Sequence, residues 1–130
     1  MADNLFKLSV HFSNVEYKER TLKMMNAIRE QLIQFAPWHS RWVQVYFKIH
    51  YPQSEIVFSG KSATNLFLEW SRNYYPDILI AGSENASGLP LLENRFEEDK
   101  TLVYICREQT CQLPVTSVDE ARSVYLSLRS

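Results

Sequence analysis

The side chains in this sequence best suited to chemistry are Cys106 and Cys111, with four residues between them. Redox pairs of the thioredoxin kind have two intervening residues, which puts one thiolate at a helix start with its partner in reach. Here the first cysteine ends an apolar run and no helix starts at either. Zinc needs two further ligands, and His11, His39 and His50 show no paired spacing. The residues therefore favour two thiols packed as small apolar groups, with a redox or ligand role as the alternative.

Gly60-Lys61-Ser62 stands between a strand pattern and a helix pattern and invites a phosphate-loop reading. That motif needs a glycine five positions earlier, so that enough N–H groups line up around the phosphates. The residue there is Glu55, and the loop is too short. A turn glycine with a solvent-facing lysine is the simpler reading, and a weak anion site at the helix N-terminus is the alternative. Glu93, Glu97 and Glu98 could imitate paired carboxylates, but a solvated charged run explains them better. Trp38, Trp42, Tyr46 and Phe47 could stack sugars or bases, but at helical spacing aromatics belong more often to a core or an interface. No catalytic, cofactor-binding or metal-ligating residue is assigned.

Ser54 to Ala81 reads as a strand–helix–strand unit. Ile56, Val57 and Phe58 form an apolar run stopped by Ser59 and Gly60. Leu66, Phe67, Trp70 and Tyr74 recur at helical spacing until Pro76, and Ile78 to Ala81 make a second run. Strands without alternation are buried on both faces, as parallel strands joined by a crossover helix are. Residues 82–100 have no clean period; Leu89, Leu91 and Leu92 anchor a loop that could bind something or be plain surface. Leu102 to Cys106 form a third strand whose direction the sequence leaves open. A tight connection through Pro114 follows, then a helix from Val118 capped by Ser117 and Glu120. The fold class expected is α/β, a small three-stranded, mostly parallel sheet with flanking helices, over residues 53–130.

Residues 1–52 read as helical hairpins. Leu5, Leu8 and Phe12 give a first stripe. Ser13 with Glu16 suggests a capping box for one helix from Val15 to Phe35. Pro37 interrupts, and Ser40 can cap a third helix from Arg41 to His50. That third helix is apolar nearly all round, leaving Arg41, Gln44 and Lys48 as a narrow polar stripe. Such a helix is normally buried on most sides, and this chain carries too little to cover it.

At 130 residues with 45% hydrophobic content, the chain can build a core without staples. Lys plus Arg is 14 against Asp plus Glu at 15, so no global field draws it to nucleic acid or to an anionic membrane. Its apolar runs fall far short of the ~20 residues that span a bilayer. The start, MADNLFKLSVHF, lacks the basic and apolar regions of a secretory signal. Two cysteines are a sparse framework for a secreted protein, so a cytoplasmic location is expected.

Asn4-Leu5-Phe6-x-Leu8, SNVEYKERTLKMM, EIVFSG, PDILIAGS, LPLLENR and above all YICREQTCQLPVTSVDEA resemble the C-terminal end of the YyaL-like, spermatogenesis-associated thioredoxin-domain family. The likeness covers essentially the whole chain but only the last part of that family's longer protein. It implies an upstream thioredoxin-like domain and an (α/α) six-hairpin toroid similar to glycosidases and N-acylglucosamine epimerases. Residues 1–52 are then the closing hairpins of the toroid, with Met1 an internal methionine or an artificial start. Cys106, Arg107, Cys111 and Pro114 match the family's terminal motif, with no role implied beyond structure. The function implied is a non-catalytic C-terminal structural or interaction domain, its partners being upstream domains of the parent protein. Two alternatives stand: part of a carbohydrate-active enzyme whose catalytic residues lie upstream, with the 82–100 loop at the toroid mouth, and redox-linked binding through Cys106 and Cys111. An isolated chain with so apolar a surface is expected to form homo-oligomers.

Overall fold

The computed structural model describes residues 1–51, 53–107 and 110–128. The chain divides into two compact units, Met1–Pro52 and Gln53–Ser130. The fold is mixed α/β.

The first unit is helical: α1 Ala2–His11, α2 Val15–Ala27, α3 Arg29–Phe35, a 3-10 turn Ala36–His39, and α4 Ser40–His50. Ser13 does not cap α2. Its φ of +49° lies in the left-handed region, whereas a capping residue needs extended backbone. Asn14 has that backbone, and its side-chain oxygen accepts from the Tyr17 N–H at 3.1 Å. The single helix expected from Val15 to Phe35 is broken at Ile28, which leaves helical geometry at φ −109°, ψ 5° while its N–H tightens onto the Met25 carbonyl. Ser40 lies inside α4 rather than capping it. Ala2, Met25 and Val45 form the buried centre, packed by Met24, Leu32, Trp42 and Ile49. Trp42, Val45 and Ile49 share one face of α4 by their three- and four-residue offsets. Tyr46 and Phe47 lie off that face and are exposed.

The polar stripe of α4 also faces α1. Asp3 has a side chain only 7% exposed, and its carboxylate accepts from Lys48 at 2.5 Å and Arg41 at 2.8 Å, with Lys7 at 3.4 Å. Burial pushes the Asp3 carboxyl up, but the Lys48 hydrogen bond and the charges of Lys48, Lys7 and Arg41 outweigh it, so it titrates below its ordinary value.

The second unit holds β1 Ser54–Ser59, α5 Ala63–Trp70, β2 Ile78–Ser83, β3 Leu102–Arg107, β4 Thr110–Cys111 and α6 Val118–Ser127. The sheet order is β2-β1-β3-β4. β1 and β2 are parallel, with Ile56 opposite Ile80, as the strand–helix–strand pattern predicts. β3 is antiparallel to β1, with Ile105 opposite Ile56, and β4 is antiparallel to β3. The sheet is therefore four-stranded and mixed, not three-stranded and mostly parallel. A parallel return would require a crossover, usually a helix; residues 84–101 supply none, so the chain comes back reversed. Glu108 and Gln109, in the connection expected to be tight, lie outside the described residues.

One face of the sheet carries Ile56, Phe58, Val103 and Ile105 against Ala63 and Trp70 of α5 and Val118, Ala121 and Tyr125 of α6. Trp70 and Tyr75 lie 4.6 Å apart, centroid to centroid, and Tyr125 meets both edge-on. α5 ends at Trp70, so Tyr74 is off the helix and exposed, contrary to its helical spacing. The Ser117 hydroxyl accepts from the Glu120 N–H at 3.3 Å, and Glu120 returns to the Thr116 N–H, one residue before the cap.

Candidate functional site

The opposite face of the sheet is set by the register. In β1 it carries Glu55, Val57 and Ser59; directly opposite in β3 stand Cys106, Tyr104 and Leu102. Cys111 of β4 then stands opposite Cys106. Three neighbouring strands thus place a carboxylate and two sulfurs in one row across the sheet.

The two sulfurs are joined: Cys106 and Cys111 form a disulfide, with their Cα atoms 3.9 Å apart. The ladder explains the pairing. The Gln112 N–H bonds to the Ile105 carbonyl, so the next pair along, Cys106 and Cys111, is the narrow, non-hydrogen-bonded kind in which side chains lie closest. The expectation of two independent apolar thiols is corrected. Spacing along the chain hid this, because a strand reversal, not a helix start, brings them together. The sparseness of the cysteines argued for a reducing compartment, and their pairing takes that argument away. Cys106 is wholly buried, whereas Cys111 lies at the exposed edge.

Arg95 crosses this row from the long connection. Its Nη2 donates to Cys111 Sγ at 3.4 Å, and its guanidinium carbon lies 5.3 Å from the centre of the Tyr104 ring. The Tyr104 hydroxyl in turn donates to the Arg95 carbonyl at 3.2 Å. The buried Arg95 Nη1 has no hydrogen-bond partner among the described residues. Leu91 and Leu92, the anchors read from the sequence, are buried just before it. Burial raises the Glu55 carboxyl above its ordinary value, and the Arg95 charge offsets only part of that. Burial and the Glu97 charge likewise push the Tyr104 hydroxyl up, against Arg95.

No family model, curated protein or solved structure matches this chain.

Of the motif residues, Cys106 and Cys111 enter this cluster. Arg107 does not: it pairs with Ser54 and Thr110, and its guanidinium donates to the Leu128 carbonyl, tying β3 to the end of α6. Pro114 is exposed beside the cluster's strand. Glu55, Arg95 and Tyr104 were not singled out from the sequence. A usable signal existed for Glu55, an acidic residue immediately before the apolar run Ile56–Phe58; nothing local marked Arg95.

The remaining sequence candidates disperse. Gly60 sits at φ +122°, and a Cβ there would fall 2.3 Å from the Lys100 carbonyl oxygen, so it is a turn glycine, with Lys61 exposed. The Ser62 N–H at the start of α5 is taken by the Thr101 hydroxyl at 3.0 Å. Glu93, Glu97 and Glu98 are exposed, Glu97 pairing with Lys100. Among the described residues no group of three or more His, Cys, Asp and Glu could hold a metal ion, and no helix is long and apolar enough to cross a membrane.

Proposed function

We propose that this chain is an interaction module of a larger protein, whose helical unit packs against helices lying upstream in that protein. One observation carries the reading. α3 contains no buried residue, and neither does the 3-10 turn that follows it. Yet this stretch holds Ile33 at 74% exposure, Phe35, and Trp38 at 86%. A seven-residue helix is too short to persist on propensity alone and depends on packing of an apolar face. Tyr46, Phe47 and Tyr51, on α4 and at its end, are further exposed aromatics, the Phe47 and Tyr51 rings lying 5.5 Å apart and tilted. The resemblance to a toroid-containing family supplies the occupant, a preceding helical hairpin. Isolated, the same surface favours association with a second copy.

Amide hydrogen exchange tests this. α3 and the following turn should exchange fast in the dilute chain and become protected when the chain is part of the longer protein. Equal protection in both settings would refute the reading.

A further inference from the structure

The row Glu55–Cys106–Cys111, with Arg95 laid across it, has the parts of a reaction centre for sulfur. We propose that Cys106–Cys111 is a thiol–disulfide exchange site that accepts electrons from an external dithiol, with Cys111 as the attacked sulfur, Glu55 as proton donor to Cys106, and Arg95 stabilising the Cys111 thiolate.

The asymmetry of the pair sets the direction of attack. Exchange requires a thiolate to reach one sulfur of the disulfide. Cys106 is wholly buried and Cys111 is at the exposed edge strand, so only Cys111 is open to an incoming nucleophile. A thiolate of the dithiol forms a bond to Cys111 Sγ; the Cys106–Cys111 bond breaks, and its electron pair goes to Cys106. A thiolate left in that buried position is costly. Glu55 lies directly across the ladder on the same face, where opposite Cβ atoms are ~4.5–5.5 Å apart. Its burial keeps the proton on the carboxyl to a higher pH than an exposed glutamate would, so it can protonate Cys106 as the bond breaks. The dithiol's second sulfur loses its proton to solvent and attacks its own partner sulfur in the mixed disulfide. Cys111 then leaves as a thiolate beside the Arg95 guanidinium, already within 3.4 Å of Sγ. The dithiol is oxidised to a disulfide and the two cysteines are reduced. Among the described residues, the charged or titratable groups that act on Glu55 and Tyr104 are Arg95 and, on Tyr104, Glu97.

β4 is only two residues long, and Val115 bonds both ways to Val103 further along, so the edge keeps a backbone tie when the crosslink opens. The buried Arg95 Nη1 lacks a partner among the described residues, a cost that a negative charge forming nearby would relieve.

The test uses the full chain, first equilibrated with oxidised dithiothreitol and then mixed with dithiothreitol or, separately, with glutathione. Acid quench, alkylation and peptide mass spectrometry follow. Dithiothreitol should reduce the pair completely, and glutathione should form an adduct on Cys111. After correction for the reductant's thiolate fraction, the rate should fall as pH rises through the titration of Glu55. Glu55→Gln should lower the acid-side rate by roughly tenfold to a hundredfold, within reach of general acid–base catalysis, and abolish that pH dependence. Arg95→Lys should retain most of the rate and Arg95→Gln should not. Circular dichroism confirms that each variant is folded, and the adduct assignment on the parent chain needs no variant. Two thiols that stay alkylatable after the oxidising step, an adduct on Cys106, or a Glu55→Gln pH profile identical to the parent's would each overturn the proposal.

Discussion

Glu55 and Cys106 stand directly opposite each other on β1 and β3, on the sheet face that does not meet α5 and α6. A carboxylate so placed is held at odds with its charge. Its titration lies above the ordinary value because of burial, so there is a pH window in which the folded chain keeps a proton the unfolded chain has released. Stability falls as pH rises through that window. Glu55→Gln should remove this fall and leave the variant more stable than the parent above that window. Urea titrations of both proteins across the window check it.

Asp3 predicts the opposite sign. Its cations hold it below its ordinary value, so its contribution is present above the unfolded value and is lost as pH falls through the folded one. Asp3→Ala should destabilise the helical unit by about 2 kcal/mol, less than the ~3–5 kcal/mol of a fully buried pair. The discount reflects Lys48, whose side chain is 19% exposed. Arg41 and Lys7 are largely in water and add little. Helix melting followed by far-ultraviolet circular dichroism reads the loss.

The turn at Gly60 has no room for a side chain. Gly60→Ala should cost at least ~2–3 kcal/mol, combining the positive φ with a methyl driven into the Lys100 carbonyl. Because that carbonyl is backbone, the strain has no flexible end to absorb it. Equilibrium denaturation should show a lower midpoint.

At the α1–α2 joint, Asn14→Ala should cost about 1 kcal/mol and Ser13→Ala far less than a lost cap. The difference follows from which side chain accepts the Tyr17 N–H. A larger loss at Ser13 than at Asn14 would mean the helix starts one residue earlier.

Local pattern carried the second unit well where neighbours in sequence are neighbours in space. Ile56–Phe58, Ile78–Ala81 and Leu102–Cys106 are strands, and Ser117 caps α6, because run length and capping chemistry are local. The sequence left β3's direction open because antiparallel return depends on what a long connection does, not on β3 itself. The disulfide was illegible for a different reason, because a short strand reversal rather than a helix start sets its two sulfurs side by side. Ile28 breaks the second helix without a proline or glycine to announce it. The candidate site joins Glu55, Arg95 and Tyr104 to the cysteines through strand register and a loop crossing, so local pattern marks its two sulfurs and the acidic Glu55 but not the arginine that meets them.

Within the helical unit, Ile33, Phe35 and Trp38 form an apolar surface that the unit's own helices leave uncovered. Sedimentation velocity over a wide concentration range, on the parent and on Ile33→Ser/Trp38→Ser, measures that most directly. The parent should self-associate and the double variant should sediment as a monomer with an unchanged melting temperature, since both side chains are outward. A parent that stays monomeric throughout, or a variant that unfolds because those side chains were holding it together, would contradict the account.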